Sequence, residues 1–199
     1  LVDNNWFKTL CKDNVELVTD RVTKIGKRSI FLSNGEELKA DIIIFATGFN
    51  ASKTLGSVDI SVKGEPSLNN VWGDENPRAY LGMTTPGFPN LFFLYGPNTN
   101  LGHGGSMIFI SELQVRYVVS LAMKMIERKL SSIECLHKIH DQYNEKLDHE
   151  HSELIWTHPG MNSWYKNKSG RIVSIMPWRL VDYWQFTHEP NLTDFKVKH

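Results

Sequence analysis

The run Asp41-Ile42-Ile43-Ile44-Phe45-Ala46-Thr47-Gly48-Phe49 constrains this chain more than any other segment. Its four consecutive apolar residues read as a strand buried on both faces, the pattern of an interior position in a parallel sheet. Ala46, Thr47 and Gly48 then follow the carboxyl end of that strand, which is where open α/β sheets bind ligands. Small side chains there let a backbone or a cofactor approach closely; the plainer reading of the same residues is a tight turn without a ligand. An acidic residue, a buried strand and a small-residue exit point to a dinucleotide-cofactor enzyme. Yet the 199 residues contain no G-x-G-x-x-G loop of the kind that cradles a pyrophosphate. The chain therefore reads as part of a larger machine.

Charge narrows the partners. Lys plus Arg and Asp plus Glu both number 22, so the formal net charge is zero and no basic field draws in nucleic acid or an anionic membrane. No apolar run reaches the roughly 20 residues of a membrane helix, and no signal-peptide pattern opens the chain. The two cysteines, Cys11 and Cys135, form neither a metal spacing nor a disulfide framework. Cytoplasm is the expected compartment. The chain opens on Leu1 where Met would be expected, in keeping with a missing upstream half.

Three regions are expected: a β-meander over residues 1–40, a sheet-and-loop region over 41–130, and a helix with an aromatic tail over 131–199. In the first, Val15 to Val18, Val22 to Ile25 and Ser29 to Leu32 alternate with turn signals. Asn34-Gly35 predicts a type I′ hairpin, with positive φ at both central residues. Residues 50–78 carry turn chemistry and little expected regular structure. Asn90 to Tyr95 predicts a second buried strand. The spacing of Ile110, Leu113, Tyr117, Leu121 and Met125 predicts a helix over about 107–128. A further helix is predicted over 138–156.

Between the second strand and the first long helix lies Gly96-Pro97-Asn98-Thr99-Asn100-Leu101-Gly102-His103-Gly104-Gly105-Ser106. Strand, glycine-rich loop and helix in that order aim backbone N–H groups at a ligand, and such donors suit the negative charge of a reduced flavin. The alternative is a flexible connection capped by Ser106. His103 is assigned no role. Glu134-Cys135-Leu136-His137 has the E-x-x-H spacing of di-metal bundles, but only one such motif is present, so no metal site is expected. No G-x-S-x-G elbow supports hydrolase chemistry. In the tail, Asn162-Ser163-Trp164-Tyr165-Lys166-Asn167 gathers donors and flat rings. There Trp164 suits a nicotinamide or ribose and Lys166 a phosphate, if the segment is more than a packed aromatic turn.

Taken together these segments resemble the C-terminal part of class B flavoprotein monooxygenases, Baeyer-Villiger type, close to 4-hydroxyacetophenone monooxygenase. Asp3-Asn4-Asn5-Trp6 with Asn14 to Val18 resembles the exit from the NADP-binding region, and Asp41 to Phe49 the D-x-I-I-x-A-T-G-F motif. Gly96 to His103 resembles the late flavin-side loop, and Asn162 to Tyr165 the C-terminal S-W-Y. The resemblance implies an α/β fold: a partial dinucleotide-binding, Rossmann-like flavoprotein fold with an antiparallel β-meander and C-terminal helices. It implies the cofactors FAD and NADPH, and insertion of one oxygen atom from O2 into a ketone or its addition to a soft heteroatom. Ala46, Thr47 and Gly48 would lie near the cofactors. Asn98, Thr99, Gly102 and Gly104 would line the flavin and substrate side, and Trp164 would contact NADP. The family's two glycine loops, its fingerprint and its catalytic arginine have no counterpart here, so no catalytic residue is assigned and the chain alone is expected to be inactive. The alternatives are another two-dinucleotide flavoprotein, such as an N-hydroxylating monooxygenase or a disulfide reductase, and a non-catalytic degenerate interaction module.

Overall fold

The computed structural model describes residues 4–102, 104–161 and 163–199. Asp3, His103 and Asn162, each part of a motif named above, lie outside the described residues. The chain divides into two compact units, one up to Gly48 and one from Phe49 to the end.

The first unit begins with a short helix, α1 (Trp6–Leu10), and continues as three antiparallel strands, β1 (Val22–Ile25), β2 (Ser29–Leu32) and β3 (Glu37–Lys39), in that spatial order. The expected meander is there, without its first run: Val15 to Val18 has no strand partner and Leu17 is exposed. The β2–β3 turn also differs from the predicted type. Only Gly35 has positive φ, at 90°. The Gly35 N–H donates to the Leu32 carbonyl, and the Asn34 side chain accepts from the Glu36 N–H. Asn34 therefore spends its amide on an Asx-type contact, and Gly35 supplies the single left-handed residue of a bulged turn.

The predicted strand at Asp41 to Phe45 is not formed. Ile42, Ile44 and Phe45 are 80%, 84% and 70% exposed, and no described residue pairs with the segment. A strand is a relation between chains: without neighbours to take its N–H and C=O groups, even a strongly β-branched run stays extended and solvated.

The second unit holds three buried clusters. In the first, a short helix α2 (Leu68–Trp72) inserts Leu68 and Trp72 among Ala79, Phe88 and Phe93. The Trp72 indole N–H is satisfied by the Arg78 carbonyl at 2.9 Å. Residues 50–78 are thus more ordered than their turn chemistry suggests, because Leu68 and Trp72, one helical turn apart, supply a buried apolar pair. Residues 91–95 do not form the second predicted strand. The segment is anchored instead by single bonds, including the Phe93 N–H to the Met83 carbonyl, and the strand that follows is the two-residue β4 (Asn100–Leu101).

The long helix α3 (Met107–Glu127) lies where the apolar spacing places it, with Ile110, Leu113, Tyr117 and Leu121 buried. Its Tyr117 and Leu121 join Leu81, Met83, Ile133, Cys135 and Phe195 in one cluster, while Ile110 and Leu113 join Leu147, Met176, Trp178 and Tyr183 in another. After it come β5 (Ser132–Cys135) and α4 (His137–Ser152). The second predicted helix thus stops at Ser152, and Ile155–Thr157 forms a 3-10 turn. The tail carries more structure than expected: β6 (Ile175–Met176) pairs in parallel with β4, α5 (Leu180–Thr187) packs on α3, and β7 (Phe195–Lys198) pairs antiparallel with β5. The result is an α/β chain with an antiparallel meander and C-terminal helices.

Candidate functional site

The glycine-rich loop is held from below by Asn98. Its backbone is left-handed (φ 55°), a conformation asparagine tolerates better than most residues. Its side chain is 3% exposed. The amide group donates to the Ile172 and Ile175 carbonyls at 2.9 and 3.1 Å, and the amide oxygen accepts from Arg171 at 3.2 Å. Thr99, fully buried, donates its hydroxyl to the Gly96 carbonyl at 2.7 Å. Both side chains expected beside a flavin are thus committed within the protein, and what they offer a ligand is the shape of the loop.

Gly102 is a contact glycine. A Cβ there would sit 2.9 Å from Cγ2 of Ile175 and 3.1 Å from Cζ2 of Trp156. Trp156 meets Tyr165 edge-on at 5.1 Å between ring centroids, and Tyr165 meets Trp164 at 4.3 Å. The loop and the S-W-Y segment, 60 residues apart, therefore share one row of rings, with the Trp164 ring 54% exposed at its open end. A backbone link joins the same two segments: the Asn98 N–H donates to the Val173 carbonyl, and the Val173 N–H donates to the Tyr165 carbonyl, both at 3.1 Å. Gly104 lies open, with no atom within 4 Å of where a Cβ would stand. Ser106 caps α3 by accepting from the Phe109 N–H at 3.2 Å, and the first turn of that helix carries no acidic residue. An exposed main chain ahead of an uncompensated positive helix end fits an electron-rich ring edge.

Ala46, Thr47 and Gly48 belong to the first unit, where all three are exposed and Gly48 has φ 79°. Lys166 is not free for a phosphate: its ammonium donates to the His158 and Met161 carbonyls, both at 2.9 Å, and so fixes the turn before Trp164. Glu134 of the E-x-x-H segment accepts from the Gly87 N–H at 3.0 Å. Among the described residues no group of three or more His, Cys, Asp or Glu side chains is placed to hold a metal ion.

Sequence reasoning missed the polar cluster behind the loop. Asp148 of α4 takes Arg78 on one oxygen at 2.7 Å and Arg171 on the other at 2.8 Å. Burial pulls the Arg171 guanidinium below its ordinary pKa, and the adjacent Asp148 carboxylate opposes that shift. One turn beyond Asp148, His151 is 2% exposed, with Nε2 2.9 Å from the Ile175 carbonyl. A carbonyl only accepts, so Nε2 carries a proton, and burial, which lowers the pKa to about 4, keeps the ring neutral at pH 7. An open crevice of about 560 Å³ runs over this cluster, its charged lining already paired within the chain. The only sequence signal was the Asp148/His151 spacing of three on one helix face; the arginines come from distant turns.

No family model matches the chain. It is 42% identical over 197 residues to an uncharacterized monooxygenase of Sinorhizobium fredii, covering 99% of this chain and 30% of that protein. It is 36% identical over 183 residues to a Baeyer-Villiger monooxygenase of Pseudomonas aeruginosa, covering 90% of this chain and 34% of the relative. Among solved structures, OTEMO in complex with FAD and NADP superposes with a TM-score of 0.81 at 25% identity, over 98% of this chain and 37% of its own. The chain spans about a third of the length of the curated relatives it matches. Among the described residues no helix is long and apolar enough to cross a membrane. By its relatives and its fold, the chain is similar to one part, about a third, of monooxygenases of the Baeyer-Villiger type.

Proposed function

We propose that this chain forms one wall of the active site of an FAD- and NADPH-dependent monooxygenase, which inserts one oxygen atom from O2 into a ketone or adds it to a soft heteroatom of a small molecule. The observation that carries this reading is the joining of the glycine loop to the S-W-Y segment through Val173 and the Trp156–Tyr165–Trp164 row. That arrangement sets an exposed main chain and an exposed indole on neighbouring segments of one frame.

When bound, the flavin supplies reducing equivalents from NADPH and the activation of O2. The chain's own residues position and exclude. The open main chain from Gly104 into the first turn of α3 offers N–H groups and a positive helix end to the electron-rich edge of the ring. Asn98 and Thr99 hold the loop in that shape without touching the ligand through their side chains. Trp164 offers its face to the nicotinamide or ribose. Ala46 to Gly48 give a small-residue approach in the first unit. No G-x-G-x-x-G loop is among these 199 residues, and the chain by itself is expected to do no chemistry.

The test has two arms. The isolated chain with FAD and NADPH is expected to show no saturable NADPH oxidation. Joined to the remaining two-thirds of a relative, it is expected to convert a cyclic ketone to its lactone, read by mass spectrometry with 18O2. Saturable turnover by the isolated chain, or an assembled protein that consumes NADPH with no oxygenated ketone or sulfide, refutes the reading.

A further inference from the structure

Tyr143 and Lys146 of α4 line a small pocket whose other walls are Tyr80, Leu81, Trp178 and Phe186. Three residues apart on a helix, the two side chains share one face. The rings make a continuous lining: Tyr80 meets Tyr143 edge-on at 5.5 Å, Tyr143 meets Trp178 at 6.3 Å, and Trp178 meets Phe186 edge-on at 5.5 Å between centroids. The cavity measures about 220 Å³, below the roughly 300–1,000 Å³ of sites for drug-sized molecules, and so has room for about one ring. Its polar groups do not balance. The Tyr80 hydroxyl donates to Asp194 at 2.9 Å, the Trp178 indole N–H donates to the Tyr143 oxygen at 3.3 Å, and the Leu81 carbonyl accepts from Tyr183 at 2.7 Å. Two donors are left with no acceptor among the described residues: the Tyr143 hydroxyl proton and the Lys146 ammonium. Lys146 stands at the exposed rim, 5.3 Å from the ring centroids of both Trp178 and Phe186. Asp182, the carboxylate that feels the Lys146 charge, has both oxygens taken by the Arg179 guanidinium at 2.7 and 2.8 Å. Burial pushes the Tyr143 phenol up to about 12, against the Trp178 hydrogen bond, so its proton stays in place at neutral pH.

We propose that this pocket binds a small carboxylate carrying one apolar ring, with the ring between the aromatic walls and the carboxylate on the Lys146 ammonium and the Tyr143 hydroxyl. The ligand must bring acceptors, because the pocket has donors to spare and its own acceptors are already engaged. It must be anionic, because a cation would meet the like charge of Lys146 and a neutral molecule would leave that charge uncompensated. Its body must be flat and apolar, because ring edges and faces bound the space on most sides. A nucleotide is excluded by size and by charge, since about 220 Å³ holds one ring and a single cation lines the pocket. A bound carboxylate would tie α4 to α5 and to the turn at Tyr80 and Leu81, all within the second unit. The site stands on these contacts alone and does not depend on the flavin reading above.

The probe is benzoate, titrated into the 199-residue chain and followed by ligand-observed NMR and calorimetry. Benzamide, with the same ring and a neutral end, and acetate, with the same end and no ring, are the comparators. Benzoate is expected to saturate at or below about 10 mM and to raise the melting midpoint, with both comparators weaker by roughly tenfold or more. Lys146→Met keeps an apolar stem at an exposed position and removes the charge. It is expected to leave the midpoint of the unliganded chain unchanged, to weaken benzoate roughly tenfold and to leave benzamide as it was. Tyr143→Phe is expected to weaken benzoate several-fold in the same assay. No saturation by benzoate overturns the proposal, as does equal affinity for benzoate and benzamide, or benzoate binding unaltered in Lys146→Met. Acetate bound as tightly as benzoate reduces the site to a surface cation and overturns it as well. A chain whose rings give no near-ultraviolet dichroism has no such packed pocket, and that result too overturns the proposal.

Discussion

His151 makes the second unit sensitive to mild acid. Its ring is buried, its Nε2–H is spent on the Ile175 carbonyl, and its Nδ1 has no partner. Burial is the main cause that lowers its pKa from 6.5 to about 4; the Ile175 carbonyl and Asp148 oppose the shift and the Arg171 charge adds to it. The sign follows from linkage. Between pH 6.5 and 4 the unfolded chain binds a proton at this residue and the folded chain does not, so stability is full above pH 6.5 and falls as the pH drops. The lowering from 6.5 to about 4 corresponds to roughly 3 kcal/mol in all. By pH 5 about 2 kcal/mol of that is already lost. For a domain that is stable by some 5–15 kcal/mol, the effect is a sizeable share.

The assay is urea unfolding at pH 7.5 and pH 5.0 for the natural chain and for His151→Gln, whose amide keeps a donor but does not titrate. The natural chain is expected to lose about 2 kcal/mol more than the variant between the two pH values. The other seven histidines are common to both proteins, so the comparison isolates this one. Parallel pH dependence in the two proteins, or an NMR titration near 6.5 that disappears in His151→Gln, refutes the reasoning.

Asn98→Ala removes two donors from buried carbonyls and one acceptor from Arg171, and asks alanine to hold φ near 55°. A loss of about 3 kcal/mol is expected in urea unfolding. Gly102→Ala drives a methyl group against Ile175 and Trp156, at an expected cost of about 1–3 kcal/mol, and calorimetry of the isolated chain reads it directly. Trp164→Ala, at an exposed ring, is expected to change stability by less than about 0.5 kcal/mol. In the assembled enzyme the same change should raise the KM for NADPH roughly tenfold, the ~1.4 kcal/mol of a lost aromatic stack, with bound FAD retained.

What was legible in the sequence is what local pattern encodes. The apolar spacing of Ile110, Leu113, Tyr117 and Leu121 placed α3 because its period is a property of one segment. The meander was legible for the same reason, although Asn34 showed that a turn type depends on which hydrogen bond its side chain makes. The Asp41 to Phe45 run misled because sheet strands require partners, and the pattern of a strand says nothing of whether they are present. The short β4–β6 pair was invisible for the opposite reason: two residues at each edge carry no period, and their pairing follows from Asn98 and the tail. The site residues divide in the same way. Gly102 and Trp164 were readable as small and flat groups, whereas Arg171, Asp148 and His151 act through contacts between distant turns.

The glycine-rich loop and the tail are joined by a run of hydrogen bonds, and this bears on how the proposed site arises. The N–H and side-chain amide of Asn98, and the Asn100 N–H, together reach the carbonyls of Ile172, Val173, Ser174 and Ile175. Four such bonds at about 0.5–1.5 kcal/mol each give roughly 2–6 kcal/mol, comparable with the whole stability of a small domain. A segment of that worth cannot be lost without the glycine loop losing its shape. His151 and Arg171 hold the same strip from behind, through Ile175 and Asn98 respectively. The shape of the glycine-rich loop is therefore set by residues about 70 positions downstream of it.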